Sequence, residues 1–229
     1  MSILALDTSG PVCSVAVIRD GLITYEARAI NRLTHSRNLL PMIDEALHKS
    51  GSSREDLQFI AAVVGPGSFT GVRIGVATAQ GMARGLNISC IAVNALEAMA
   101  RSVSFSEHII CPIRDARSQQ VYGAAFQNGN RLMPDSAMKL DDFLKAIDAF
   151  GETFYFLGDG AAVMGESIKA RLGDRAVIAP RALIQPGVAA AAVLAEENAD
   201  KAVPPSELMP LYLRAPQAER LLAKKNQNA

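Results

Sequence analysis

Residues 3–22, ILALDTSGPVCSVAVIRDGL, and residues 111–132, CPIRDARSQQVYGAAFQNGNRL, decide the fold. Each ends a short apolar strand on an aspartate, Asp7 or Asp115, and each reaches an Asx-Gly pair thirteen residues later, Asp20-Gly21 or Asn128-Gly129. Those pairs supply the two positive φ values that a tight type I′ hairpin requires, so both stretches predict strand, strand, turn, strand. Equal spacing over two such hairpins marks an internal duplication.

The segments that follow carry the same order. After the first hairpin come a helical stretch from about Ser36 to Lys49, an apolar strand over Phe59–Val64, and Gly65-Pro66-Gly67 opening a second helix. After the second come a helical stretch around Asp141 to Phe150, a strand over Thr153–Leu157, and Gly158-Asp159-Gly160 opening another. Each half reads β-β-β-α-β-GxG-α. Ser68 is placed to cap the helix after the first glycine pair, Asp141 and Asp142 suit a helix start, and Gly51 suits a helix stop just beyond Lys49. Pro41 fits poorly inside a helix, so the regular part is expected to begin near Asn38 or to kink there.

With 229 residues, about half of them hydrophobic and a fifth charged, the chain falls in the soluble globular class and has room for two compact lobes. The expected division is 1–104 and 105–229, with the extreme carboxyl terminus packing back on the first lobe. No apolar run is long enough to cross a bilayer and the amino terminus lacks a signal-type core, which points to a cytoplasmic protein with no membrane partner. Cys13, Cys90 and Cys111 lie in apolar strand contexts without CxxC spacing and read as buried free thiols.

Lysine plus arginine equals aspartate plus glutamate at 23 each, so the general attraction that drives nonspecific nucleic-acid binding is missing. A local basic run at the carboxyl end, Arg214, Arg220, Lys224 and Lys225 against Glu219, reads either as a solvated terminus or as a local nucleic-acid contact. Glycine has two uses in VVGPGSFTGVRIGVATAQGMARG, residues 63–85. Gly65 and Gly67 turn the chain from strand to helix, while Gly71, Gly75, Ala79 and Ala83 recur every fourth residue as a stripe almost free of side chains. Such a stripe lets another helix come close, from this chain or from another. The preceding helix places Leu39, Leu40, Ile43 and Leu47 on one face, wide enough to cover a core and a partner.

The segments ILALDTSGPVCSVAV, HSRNLLPMIDEAL, VVGPGSFTGVRIGVATAQGMARGL, DARSQQVYGAAF and LYLRAPQAER together resemble the TsaB (YeaZ) family of bacterial tRNA threonylcarbamoyladenosine biosynthesis proteins, over nearly the whole chain. The resemblance implies an α/β fold of the duplicated, two-lobed actin, Hsp70 and sugar-kinase type (RNase H-like), each lobe a mixed sheet flanked by helices. It implies a non-catalytic scaffold for threonylcarbamoyl transfer to N6 of adenosine 37 in tRNAs reading A-starting codons. The implied partners are the catalytic paralogue TsaD and the ATPase TsaE, with tRNA met through the complex and a homodimer in isolation. No cofactor is expected on this chain alone, ATP or ADP and metal entering with the assembly.

The catalytic paralogue binds metal through two histidines one helical turn apart, and the matching positions here are Ala95 and Met99, which cannot replace an imidazole. His35, His48 and His108 form no metal-binding spacing, so a protease reading finds no ligands. Asp7 and Asp115 stand where the superfamily's ATPases place phosphate-facing carboxylates, and with Ser9 they define a vestigial nucleotide site. Ala116-Arg117-Ser118-Gln119-Gln120 lacks the glycines a phosphate grip needs, and Pro11 donates no N–H. The expected partner interface is Leu39, Leu40, Ile43, Leu47, Gly71, Gly75 and Ala79. A kinase-like ATPase and a tRNA-contacting subunit are the alternative readings.

Overall fold

The computed structural model describes residues 1–31 and 33–214. The first repeat comprises β1 (Ser2–Asp7), β2 (Cys13–Arg19), β3 (Leu22–Ala29), α1 (His35–Lys49), β4 (Phe59–Gly65), α2 (Phe69–Leu86), β5 (Ser89–Asn94) and α3 (Ala95–Arg101). The second comprises β6 (Ile109–Asp115), β7 (Gln120–Gln127), β8 (Asn130–Lys139), α4 (Leu140–Ile147), β9 (Phe154–Leu157), α5 (Asp159–Leu172), β10 (Ala176–Ile178) and α6 (Ala189–Glu197). Strand order is β3-β2-β1-β4-β5 in one sheet and β10-β9-β6-β7-β8 in the other. These orders superpose element for element. In both, the first three strands pair antiparallel and the remaining ones run parallel.

Local chemistry sets the boundaries. Asp20 and Gly21 take φ values of 50° and 79°, and Asn128 and Gly129 take 51° and 77°, as type I′ turns require. Ser68 caps α2, its Oγ accepting from the Gly71 N–H at 3.2 Å. Gly51 sits just past α1 in the left-handed region. Helix α1 begins at His35 and runs through Pro41, so it starts earlier than the proline suggested. The strands β5 and β10 and the helix α6 had no counterpart in the sequence reading.

One face of the first sheet is covered by α1 and α2 and the other by α6. That places α6 on the first lobe. Beyond α6, Val203 pairs with Cys90 of β5, Leu208 is fully buried in the first core, and the Leu211 N–H bonds to the Val64 carbonyl at 2.7 Å. The division at 104/105 is therefore corrected: residues 188–211 return to the first lobe, well before the extreme terminus, because the apolar side of its sheet needs their cover.

A second correction concerns the expected interface. Leu39, Ile43 and Leu47 are buried under α1 against the first sheet, and Gly71, Gly75 and Ala79 are buried under α2. Only Leu40, 55% exposed, faces solvent. The stripe serves the chain's own packing: a Cβ on Gly71 would lie 2.1 Å from the Thr8 carbonyl oxygen, and one on Gly75 would lie 2.5 Å from Thr8 Oγ1. Thr8 Oγ1 also donates to the Gly71 carbonyl at 2.7 Å. The seam thus joins α2 to the loop after β1.

Gly71→Ala is expected to destabilise the chain by about 1–3 kcal/mol, the usual cost of overpacking, read as a lower urea midpoint. An unchanged midpoint would contradict the internal seam. The three cysteines are buried, and burial raises Cys13 and Cys90 to about 11, with Asp7 adding to the shift at Cys13, and pushes Cys111 up as well. A thiol at that value is ~0.1% thiolate at pH 8, so a disulfide reagent should leave the folded chain unlabelled and titrate the thiols only in denaturant.

Candidate functional site

The two lobes enclose an open cleft of about 850 Å³, bounded by the loops after β1 and β6, the start of α2, the face of α5, and residues 211–214. Asp7 ends β1 at the cleft floor because the parallel strands of the first sheet stop there. Its Oδ1 accepts from the Ser9 N–H at 2.7 Å and from Ser9 Oγ at 2.5 Å. Asp115 occupies the equivalent position in the second lobe but does not meet Asp7. Its carboxylate accepts from the Arg117 N–H at 2.8 Å and the Arg117 guanidinium at 3.3 Å.

The group that does meet Asp7 is Arg114. Its side chain, 8% exposed, crosses from β6 into the cleft floor. Nη2 donates to Ser9 Oγ at 2.9 Å and to Asp7 Oδ2 at 3.4 Å, while Nη1 donates to Asp159 Oδ1 at 3.4 Å. Asp159, the first residue of α5, also accepts from the Asp115 N–H at 3.2 Å. Arg114 and Asp159 were not among the expected site residues. The available signal was an arginine inside the apolar run of β6, beside the duplicated aspartate.

These contacts decide what the cleft offers a nucleotide. A phosphate cradle needs free backbone N–H groups and carboxylates free to hold a metal. The N–H groups of Ser9 and Arg117 bond to the aspartates before them, and that of Ala116 bonds to the Gln120 carbonyl at 2.9 Å. Arg117, Ser118 and Gln119 all take φ near 60°, a left-handed turn that closes through the Gln120 N–H to the Arg117 carbonyl at 3.1 Å. Each such residue costs about 1–2 kcal/mol. The loop is folded on itself, with the N–H groups of Ala116, Arg117 and Gln120 engaged within it.

No group of three or more potential metal ligands occurs among the described residues. Ala95 and Met99 lie buried on α3, and Met99 lines a small pocket beside Asp7. His35 Nε2 lies 2.9 Å from the Gly10 carbonyl oxygen, His108 Nδ1 lies 2.8 Å from Thr153 Oγ1, and His48 sits in the last turn of α1. The histidines are therefore dispersed.

Residues 211–214 form a strap along the cleft mouth. Tyr212 stacks on Phe69 at 4.8 Å between ring centroids, and Arg73 lies 3.9 Å above the Phe69 ring with its Nε donating to the Tyr212 hydroxyl at 2.9 Å. Arg214 reaches the Ala116 carbonyl of the second lobe at 3.5 Å. Arg220, Lys224 and Lys225 lie outside the described residues.

A second surface lies on the outer side of α1 and α2. Ala77, Gly81 and Gly85 recur every fourth residue along α2 and all three are exposed. Outside the helix's own backbone, no atom of the described residues lies within 4 Å of where a Cβ would stand on either glycine. Alongside runs a groove of about 460 Å³ lined by Leu40, Ile43, Asp44, Arg54, Met82 and Leu86. Periodicity in the sequence pointed to the neighbouring stripe because both have the same spacing.

Residues 29–222 match the family model described as TsaD, tRNA N6-adenosine threonylcarbamoyltransferase. The chain is 33% identical to the tRNA threonylcarbamoyladenosine biosynthesis protein TsaB of Bacillus subtilis over 96% of both chains. It is 40% identical to TsaB of Escherichia coli over 56% of this chain and 55% of that one. Among solved structures, YeaZ from Pseudomonas aeruginosa aligns with a TM-score of 0.75 at 28% identity, covering 93% of this chain and 99% of that one. Component A of the (R)-2-hydroxyglutaryl-CoA dehydratase of Acidaminococcus fermentans, at 14% identity and a TM-score of 0.52, shares the fold alone over 87% of this chain and 99% of its own. A duplicated two-lobed fold and this similarity along almost its full length lead to one conclusion: the chain belongs to the TsaB (YeaZ) family of tRNA threonylcarbamoyladenosine biosynthesis proteins.

Proposed function

We propose that the chain is a non-catalytic scaffold for threonylcarbamoyl transfer to N6 of adenosine 37 in tRNAs reading A-starting codons, and that it acts by docking the outer face of α1 and α2 on the catalytic paralogue TsaD. The single observation that carries this reading is the exposed Ala77-Gly81-Gly85 stripe. Glycine inside a helix costs about 1 kcal/mol against alanine, and nothing among the described residues packs against Gly81 or Gly85 to offset it. Close packing by a helix from another molecule would offset it, with small residues four apart letting the two axes approach. Leu40 and Met82 beside the stripe supply apolar area for the same contact.

The non-catalytic part of the reading is supported by the cleft. Asp7 is held by Arg114 and Ser9, Asp115 by Arg117, and the two metal-ligand positions are Ala95 and Met99. ATP or ADP and metal then belong to the assembled complex, which TsaE joins and through which tRNA is met. In the absence of TsaD, the same face is suited to a two-fold contact with a second copy.

Threonylcarbamoyl transfer to tRNA, assayed with each protein alone and with the mixture, is expected only in the mixture. Transfer or ATP turnover by this chain alone would overturn the scaffold reading. Gly81→Leu is expected to leave folding intact, since the site is open, and to weaken association by about 30-fold or more if it sits at the centre of the contact. Gly81→Ala is expected to stabilise the isolated chain by about 0.5–1 kcal/mol. Unchanged association in Gly81→Leu would contradict this interface.

A further inference from the structure

We propose that Arg114 is a built-in cation that locks the two lobes together, so that their relative position is fixed without any ligand. The inference stands independently of the docking face and of the partner.

Asp7 of the first lobe and Asp159 of the second approach each other at the cleft floor, with side chains only 15% and 18% exposed. Two carboxylates so placed repel, and lobes that bring them together need a positive charge between them. Where that charge arrives with a metal or a ligand, closure follows its binding and is lost on its release. Here the charge is part of the chain. The Arg114 guanidinium reaches Asp7 and Ser9 with one nitrogen and Asp159 with the other, and no dissociation of a ligand can remove it.

Two further features fit a permanent joint. A Cβ at Gly10 would lie 1.9 Å from Arg114 Nη1, so only glycine there admits the guanidinium in this position. Arg114 Nε and Gln185 Oε1 are both buried and have no partner among the described residues. Both residues line a small pocket of about 10 Å³ shared with Asp7, Met99, Asp159 and Pro186. That space suits one water, which would accept from Nε–H and donate to Oε1. Gln185 lies on the segment returning to the first lobe, and its carbonyl already accepts from Arg28 of β3 at 3.1 Å. The joint would then tie β1, β6, α5 and the returning segment at one point.

The test is a distance between the lobes. Thr70→Cys on α2 and Val163→Cys on α5 place spin labels at two exposed positions on opposite walls of the cleft, and the native thiols are buried from the label. On the full chain, pulsed dipolar spectroscopy should give one narrow distance, unchanged by millimolar Mg-ADP. Arg114→Ala should add a second, longer population. Should that variant fail to fold, Asp159→Asn, which removes one charge and keeps the shape, should broaden the distribution. A distribution already broad in the parent, a parent distance that shortens with Mg-ADP, or an unchanged distribution in the folded Arg114→Ala or Asp159→Asn chain would overturn the lock.

Discussion

The contact between Arg114 and the carboxylates of Asp7 and Asp159 is the constraint on which the rest of the molecule depends. Through Ser9 it reaches the start of α2, where the Ser68 N–H bonds to the Ser9 carbonyl at 2.7 Å and Thr8 seats against Gly71 and Gly75. The loop after β1 is thereby fixed from both sides, by the second lobe and by α2. A buried pair of this kind adds little against an apolar replacement, but removing one partner strands the others at a cost of about 3–5 kcal/mol. Its value lies in specifying how the two lobes meet.

The same contact places a cation of the chain's own at the cleft floor, between carboxylates of the two lobes. Asp7 and Asp115 are each held by an arginine, and the N–H groups of Ser9, Ala116 and Arg117 bond within their own loops. On the outside of α2, Gly81 and Gly85 meet no packing partner among the described residues.

Most of the fold was legible in the sequence because its signals are local. Two Asx-Gly turns, the Ser68 cap and the apolar strands that end on Asp7 and Asp115 depend on a few adjacent residues each. What stayed hidden depends on tertiary position. Strand β10 is only three residues long, and α6, with the sequence AAAAVLAEE, has no polar face to reveal its side of a sheet. Gly71-Gly75-Ala79 and Ala77-Gly81-Gly85 share a helix and a spacing, and only the direction in which the first sheet lies distinguishes the inner stripe from the outer one. Arg114 shows the same limit: its sequence neighbours mark a strand end, whereas its partners are 105 and 107 residues away in one lobe and 45 in the other.

The most direct measurement is amide hydrogen exchange of the chain alone and with its catalytic paralogue. A scaffold docked by its outer helices predicts new protection over Leu40–Asp44 and Ala77–Leu86, with the already closed loops at Thr8–Val12 and Ala116–Gln120 unchanged. Protection confined to those cleft loops, with α1 and α2 exchanging as before, would contradict the account.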